Sequence, residues 1–336
     1  MKLKSFKIIP NSLPDSTILL DFIPTSNDSA IAFYFDFSDE SWESEEKSSP
    51  FYLIKSKEIK NIKIDFINIP LEDRIIWHRT SIFKTNTDIG VLTDCNVVYL
   101  YENIEKVPRR ISIDYSELKI NQEKNVCEIK HTGFSDDNVI PFLFKYEHTY
   151  GNYISLLTIN NENYTAKWGE RVQLLAEDFP QQFSDWLEEE LFSDLTPIIE
   201  SIIRVEGYLI ACTRGRHLSN KESCEIIKLD SKGRLVETLY SIKLQVGNVS
   251  KSKIEDVECK FSHSHKYAIL TTQYKNYKWK SKQKLFDLKK RKIINIEMPE
   301  GYSDYKIIDH FDNTFWLQEK KYSKQLATDN TNEEPY

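Results

Sequence analysis

The chain of 336 residues is 40% hydrophobic and 12% aromatic, with 18 Tyr and 18 Phe against only nine Gly. Aromatic side chains fit a pleated, half-buried surface, so this composition favours strands over helices. The formal net charge of −7 argues against a general polyanion binder, because phosphate recognition needs an excess of Lys and Arg. The length allows either two ordinary domains or one domain built from repeats.

The amino-terminal residues do not form a signal-peptide core, because polar and proline residues interrupt their apolar run. No later apolar stretch reaches the roughly 18 residues that a membrane span needs. We therefore expect a soluble, cytoplasmic protein without membrane association. The five cysteines are odd in number, scattered and without a CxxC pair, so neither a disulfide framework nor a zinc knuckle is indicated.

In chain order, the sequence predicts a strand at 2–9 and then a succession of paired hairpins. Each unit begins with an apolar strand, a tight polar turn and a second apolar strand, and an outer hairpin with a charged turn follows except in the sixth unit, which lacks a convincing one. The inner turns are centred on Asp28, Thr87, Gly151, Gly207, His265 and Asn313, at intervals of 59, 64, 56, 58 and 48 residues. Clear outer hairpins lie at 52–64, 98–113, 224–240 and 284–298.

This spacing, with four strands in each unit, resembles that of β-propellers in general, where each small sheet buries its faces against its neighbours. The characteristic sequence motifs of WD and kelch repeats are absent, so no particular propeller family is indicated. We predict an all-β, six-bladed β-propeller of four-stranded blades that forms a single domain over 1–326. The strand at 2–9 is expected to close the ring by completing the last blade, and 327–336 are expected to be a disordered tail.

One helix is predicted to interrupt this pattern at about 179–195, after the third blade. Leucine and phenylalanine recur there every four residues, and Pro197 follows the last of them. We therefore predict a single helical insertion in the propeller.

Residues 138–192 resemble the carboxy-terminal part of the SUKH-superfamily immunity domains, which bind and neutralise bacterial toxins. The matching features are Ile140-Pro141-Phe142, Gly151-Asn152, Trp168, Leu174-Leu175-Ala176 and the segment QFSDWLEEEL, in which Gln182 departs from the family's serine. The family's amino-terminal helix is not found. The resemblance implies a protein that acts by binding, and it leaves a second fold open, a SUKH-like domain embedded between shorter β-domains.

Sequence motifs assign neither catalytic residues nor a cofactor, because no phosphate loop, GxGxxG, GxSxG or HExxH is present. Cys259, His263 and His265 alternate along a predicted strand, and two imidazoles on one face are possible zinc ligands. The two histidines also lie at an inner hairpin turn. That position favours solvent-exposed turn residues over a metal site.

Charged loops with embedded aromatic residues predict a binding face. The segment 36–50 is acidic and the segment 273–284 is basic. In a propeller, both would emerge on the face that also carries the connections between blades. Exposed Trp and Tyr are typical anchors of protein interfaces, and opposite charges select a complementary partner. The predicted contact residues are Trp42, Glu43, Glu45, Glu46, Trp186, Arg214, Arg216, Lys275, Tyr277, Lys278, Trp279 and Lys280.

We therefore predict a non-catalytic protein-binding protein, and the SUKH resemblance implies a bacterial immunity protein with a toxin as its partner. The alternative is a propeller hydrolase or lyase with an axial active site. Acidic or histidine side chains converging in a deep axial pocket would favour the enzyme, whereas an apolar axis would favour binding. A single-stranded nucleic-acid binder is disfavoured, because an acidic loop would face the basic one.

Overall fold

The computed structural model describes residues 1–10, 17–36, 51–58, 61–66, 80–85, 87–94, 96–102, 106–118, 126–130, 135, 137–146, 152–169, 198–214, 223–243, 254–274 and 281–320. The regular structure of these residues consists of 23 β-strands and one 3₁₀ turn at Ser116–Leu118. The all-β prediction is therefore confirmed. No helix in these ranges has the length and hydropathy needed to cross a membrane.

The strands follow one another at short intervals along the chain. They are β1 (Phe6–Ile9), β2 (Thr17–Pro24), β3 (Ser29–Asp36), β4 (Phe51–Glu58), β5 (Asn61–Phe66), β6 (Ser81–Lys84), β7 (Ile89–Asp94), β8 (Val97–Tyr101), β9 (Arg109–Asp114), β10 (Val126–Lys130), β11 (Val139–Tyr146), β12 (Asn152–Asn160), β13 (Thr165–Trp168), β14 (Ile198–Val205), β15 (Tyr208–Arg214), β16 (Ser223–Leu229), β17 (Leu235–Lys243), β18 (Ile254–Phe261), β19 (Tyr267–Tyr274), β20 (Ser281–Asp287), β21 (Lys292–Asn295), β22 (Tyr305–Phe311) and β23 (Thr314–Glu319).

The sheets are antiparallel meanders of consecutive strands. β2–β5, β14–β17 and β18–β21 form three four-stranded sheets. The meanders β6–β9 and β10–β13 join into one eight-stranded sheet, because β13 pairs in parallel with β9 through Ala166 and Ile113. The last sheet contains β22 and β23, and β1 adds to it in parallel with Phe6 opposite Phe315.

Neighbouring meanders contact each other in chain order, mainly through their first strands. β2 contacts β6, β11 contacts β14, β14 contacts β18, and β19 contacts β22. β22 in turn contacts β2, so the last sheet lies against the first. Sheets that follow one another around an axis, each meandering outward from its first strand, form a β-propeller-like arrangement.

The hydrophobic core lies between neighbouring meanders. Phe142 packs edge-on against Phe83 of the preceding meander, with ring centroids 5.6 Å apart, and against the fully buried Trp168 of its own meander at 5.3 Å. Between the last sheet and the first, the ring of Trp316 lies 5.3 Å from that of Phe22. Each meander thus buries apolar side chains against the next one. A single meander therefore does not need to be stable on its own.

Tight inner turns join the first two strands of several sheets. Glu206 and Gly207 have φ of 50° and 78° and form the two-residue turn between β14 and β15. Asp312 has φ of 49° in the corresponding turn between β22 and β23. Two-residue hairpin turns favour positive φ because it matches the twist of the strands, and these turns lie at the positions that the sequence predicts.

Two predictions of the sequence concern segments outside the described residues, namely the helix at about 179–195 and the tail at 327–336. The described part of the segment that resembles SUKH domains forms β11–β13. These strands belong to a meander like the others, paired with β10 at one edge and β9 at the other.

Candidate active site

A cavity of about 380 Å³ lies where the first strands of the meanders approach one another. This volume falls in the range of small-molecule sites. Each meander contributes at least one residue to the wall. These residues include Leu20 and Asp21 from β2, Ser81 from β6, Ile129 from β10, Ser201 from β14, Lys260 from β18 and Ile308 from β22.

Bulges in the first strands turn extra residues toward this cavity. Register shifts mark one extra residue in each of three first strands, namely Leu20 in β2, Glu200 in β14 and Ile308 in β22. All three residues line the cavity. A β-bulge re-aims side chains and is common beside active sites, so the bulges explain how long inner strands present functional groups to the axis.

The side chain of Asp21 links the first two meanders at the cavity wall. Its Oδ1 accepts a hydrogen bond from the backbone N–H of Phe22 at 2.8 Å. Its Oδ2 accepts from the backbone N–H of Ile82 at 3.2 Å and from the hydroxyl of Ser81 at 3.4 Å. The carboxyl group is therefore held in one orientation by groups from two sheets.

The surroundings of Asp21 favour its protonated form. Burial raises the pKa of this carboxyl above its ordinary value, because little water remains to solvate the charge. The positive charge of Lys260, the backbone hydrogen bonds and the proximity of His263 lower the pKa, but they do not offset the effect of burial. Asp21 therefore keeps its proton to a higher pH than an exposed aspartate.

Other charged groups share the cavity with Asp21. Glu258 and Lys260 are two residues apart on β18 and both line it, as do Glu200 and Lys306. Glu258 is exposed and Lys306 is partly buried. Neither of these two forms an ion pair with another described residue, so both remain available to a ligand.

The neutral polar side chains of the cavity wall differ in whether they already form hydrogen bonds within the protein. The amide of Gln283 donates to the carbonyl of Ile307 at 2.9 Å and accepts from its N–H at 2.6 Å, which ties two sheets together. The hydroxyl of Ser201 is buried without a hydrogen-bond partner among the described residues. The side-chain amide of Gln318, also in the wall, makes no hydrogen bond to the described part of the chain.

The prediction that His263 is a solvent-exposed turn residue is wrong. His263 is only 3% exposed, and its Nδ1 lies 2.5 Å from Oδ2 of Asp309 on β22. The turn after β18 packs against the neighbouring sheet, and Asp309 accepts a further hydrogen bond from the backbone N–H of His263 at 3.0 Å. Because this partner belongs to another unit, the local turn pattern did not indicate it.

Asp309 is fully buried and negatively charged, and its carboxylate accepts several hydrogen bonds. Burial raises the pKa of its carboxyl, but the attraction and hydrogen bond of His263 and the charge of Lys260 together bring it below the ordinary value. The ammonium of Lys260 lies 3.9 Å from Oδ2 of Asp309. Lys260 is therefore shared between Asp309 and the cavity that contains Asp21.

The candidate zinc ligands are not brought together into a metal site. Cys259 is buried in a core cluster with Cys212 and Cys224, whose sulfurs are 3.3 Å apart. His265 lies in the turn with φ of 55°. Within the described ranges, no three His, Cys, Asp or Glu side chains are arranged to hold a metal ion.

The residues of the predicted binding face lie outside the described residues, except that Arg214 ends β15. That face therefore stays a prediction. Sequence motifs missed Asp21, Glu258, Lys260 and Lys306 altogether. The available signal was an acidic or basic residue inside the apolar run of an inner strand, as Asp21 is in LLDFI.

No protein-family model and no curated protein matches the chain. Among solved structures, an α-L-arabinofuranosidase from Clostridium thermocellum is 9% identical over 78% of this chain and 87% of that one, with a TM-score of 0.39. An endo-arabinase from Bacteroides thetaiotaomicron is 13% identical over 89% and 99% of the two chains, with a TM-score of 0.38. A periplasmic gluconolactonase from Pseudomonas aeruginosa is 8% identical over 74% and 78%, also with a TM-score of 0.38. At such values none of them bears on the function of this chain.

Proposed function

We propose that the chain is a β-propeller hydrolase whose active site is the axial cavity. The observation that carries the proposal is that two carboxyl groups in very different surroundings share this cavity. Asp21 is enclosed and has a raised pKa, whereas Glu258 is exposed. When the surroundings of two carboxyl groups in one site differ, one group can act as the acid and the other as the base.

In this proposal the ring has six blades, one for each meander, and forms a single domain over 1–326. The contact of β22 with β2 and the parallel pairing of β1 with β23 support closure of the ring by the amino-terminal strand. The helical insertion at about 179–195 remains part of the proposal on the strength of its sequence pattern alone.

The arrangement suits cleavage of a glycosidic bond. The leaving alkoxide needs a proton, which a protonated Asp21 can give, while the carboxylate of Glu258 takes the proton of the attacking water. No redox partner is required, since water adds across the bond. Hydroxyl and amide groups of the wall, such as those of Ser201 and Gln318, suit the hydroxyls of a sugar.

The test is hydrolysis of a panel of chromogenic aryl glycosides by the purified full chain across a range of pH. We expect at least one substrate to be cleaved, with a rate that falls as pH rises through the raised pKa of Asp21, since the acid is then deprotonated. A rate that only increases on the basic side would contradict the role of Asp21 as acid. Absence of cleavage across the panel would count against the hydrolase.

The second candidate function is the capture of a partner protein, such as a toxin, by a cytoplasmic immunity protein. Its support is the segregation of charge in the sequence, acidic in 36–50 and basic in 273–284. Reversing the charge of Lys275, Lys278 and Lys280 is expected to weaken capture of such a partner, mainly by slowing association and with a strong dependence on salt. Affinity capture from the native host, followed by binding kinetics, measures this. Unchanged kinetics in the triple variant would remove the basic segment from the interface.

A further inference from the structure

Two unpaired polar side chains lie side by side in the wall of the axial cavity. Lys306 of β22 and Gln318 of β23 are register partners in an antiparallel pair, and both line the cavity. Side chains of directly opposed residues point to the same face of the sheet and lie close together. Neither forms an ion pair or a side-chain hydrogen bond with another described residue. The ammonium and the amide therefore form one joint group of donors.

A third donor comes from another sheet. Ser201 of β14 is 1% exposed, and its hydroxyl lacks a partner among the described residues. Buried hydroxyl groups in native proteins are nearly always hydrogen-bonded to protein, water or a ligand. Because Ser201 also lines the cavity, rotation of its side chain about χ1 toward an acceptor atom placed there would satisfy the hydroxyl.

The charges around these donors restrict the ligand further. Lys260 lies 3.9 Å from Asp309, which partly neutralises it, whereas Lys306 has no such carboxylate among the residues that the structure describes. Glu200 and Glu258 line the same cavity and would repel a dianion such as a phosphate. A singly charged group with two acceptor oxygens fits one ammonium and two neutral donors best.

We infer that Lys306, Gln318 and Ser201 form a subsite for a carboxylate group, and that the substrate class of the cavity is an acidic sugar. This inference rests on the proposed glycosidic cleavage in the same cavity. The carboxylate would orient the sugar so that the bond to be cleaved lies toward Asp21 and Glu258. The preference for an acidic sugar over a neutral one comes from the charge-assisted hydrogen bond of Lys306, which a neutral sugar cannot form.

The test compares the binding of D-glucuronate and D-glucose to the full chain by isothermal titration calorimetry. We expect glucuronate to bind at least about tenfold more tightly than glucose, as one charge-assisted hydrogen bond provides. Lys306→Gln is expected to abolish this preference. Lys306→Arg, which keeps the charge, and Lys292→Gln, which changes an exposed lysine on the outer strand β21, are expected to retain it.

Equal affinity for the two sugars, no measurable binding of glucuronate, or an unchanged preference in Lys306→Gln would overturn the subsite. Circular dichroism of each variant checks that it is folded, and Lys306→Met, which also removes the charge, provides the charge test if Lys306→Gln is not. Binding does not require turnover, so the two proposals fail separately. A preference for glucuronate without cleavage of any glycoside would overturn only the hydrolase, and cleavage of neutral glycosides without that preference would overturn only the subsite.

Discussion

Replacing Asp21 by asparagine is expected to lower the rate of glycoside hydrolysis by about 10² to 10⁴-fold, the usual contribution of a general acid. Asparagine keeps the size of the side chain, and its carbonyl can still accept a hydrogen bond from the N–H of Ile82 or Phe22. It cannot deliver a proton to a leaving group. The measurement is the initial rate with the best aryl glycoside of the panel, for the wild type and the variant.

The same substitution makes a prediction about stability that separates chemistry from folding. Because the pKa of Asp21 is raised on folding, the folded protein binds more protons than the unfolded one between about pH 4 and the raised pKa. The stability of the wild type therefore decreases as pH rises through the folded pKa, and that contribution should be missing from Asp21→Asn. Urea unfolding at several pH values measures it.

The control for Asp21 is Glu300→Gln, which removes a carboxyl from an exposed turn. We expect it to leave both the rate and the pH dependence of stability unchanged. An Asp21→Asn variant that is folded and as active as the wild type would eliminate Asp21 as the acid. An inactive variant that is also unfolded would instead point to the hydrogen bonds between β2 and β6 as its main role.

Replacing Asp309 by asparagine is expected to reduce the free energy of unfolding by about 3 to 5 kcal/mol, the usual effect of removing one partner of a buried charge pair. Asp309 is fully buried. In addition to its contacts with His263, it accepts a hydrogen bond from the backbone N–H of His310 at 2.7 Å. The amide group of asparagine carries no charge to balance that of Lys260, and it is a weaker hydrogen-bond partner for the imidazole of His263 than a carboxylate. Chemical denaturation at neutral pH measures the loss.

The pH dependence of this loss has a definite sign. The pKa of Asp309 is lowered on folding, so its contribution to stability is present above the unfolded value of about 4 and is lost as pH falls below it. The difference between wild type and variant should therefore be largest near neutral pH and should shrink in acid. A difference that grows in acid would contradict the assignment of Asp309 as the charged partner.

Asp28→Asn is the matched control, since it also removes an aspartate from an ion pair. Asp28 lies 2.9 Å from the ammonium of Lys7, but its side chain is 63% exposed. A pair whose carboxylate is largely solvated contributes about 1 kcal/mol or less. Similar losses in the two variants would mean that burial of Asp309 is not what makes its pair strong.

Local patterns in the sequence were sufficient for the strands and for several of the inner turns. Alternating apolar residues and turn residues act within a few positions of each other, so Gly207 and Asn313 mark hairpins without knowledge of the fold. The aromatic composition and the hairpin patterns also led to the correct expectation of an all-β chain, but Gly151, predicted as an inner turn, falls between β11 and β12, the second and third strands of their meander. No local signal indicated the parallel pairing of β13 with β9, which joins two meanders along their outer strands.

The amino acid sequence by itself determined where the chain forms strands and turns, because those preferences are local. Only the tertiary structure decided which polar residues come together. Asp21 meets Ser81, 60 residues away, and His263 meets Asp309, 46 residues away. A raised or lowered pKa depends on burial and charge contributed by several sheets at once, so residues that look ordinary in sequence acquire their chemistry only when the first strands converge on the axis.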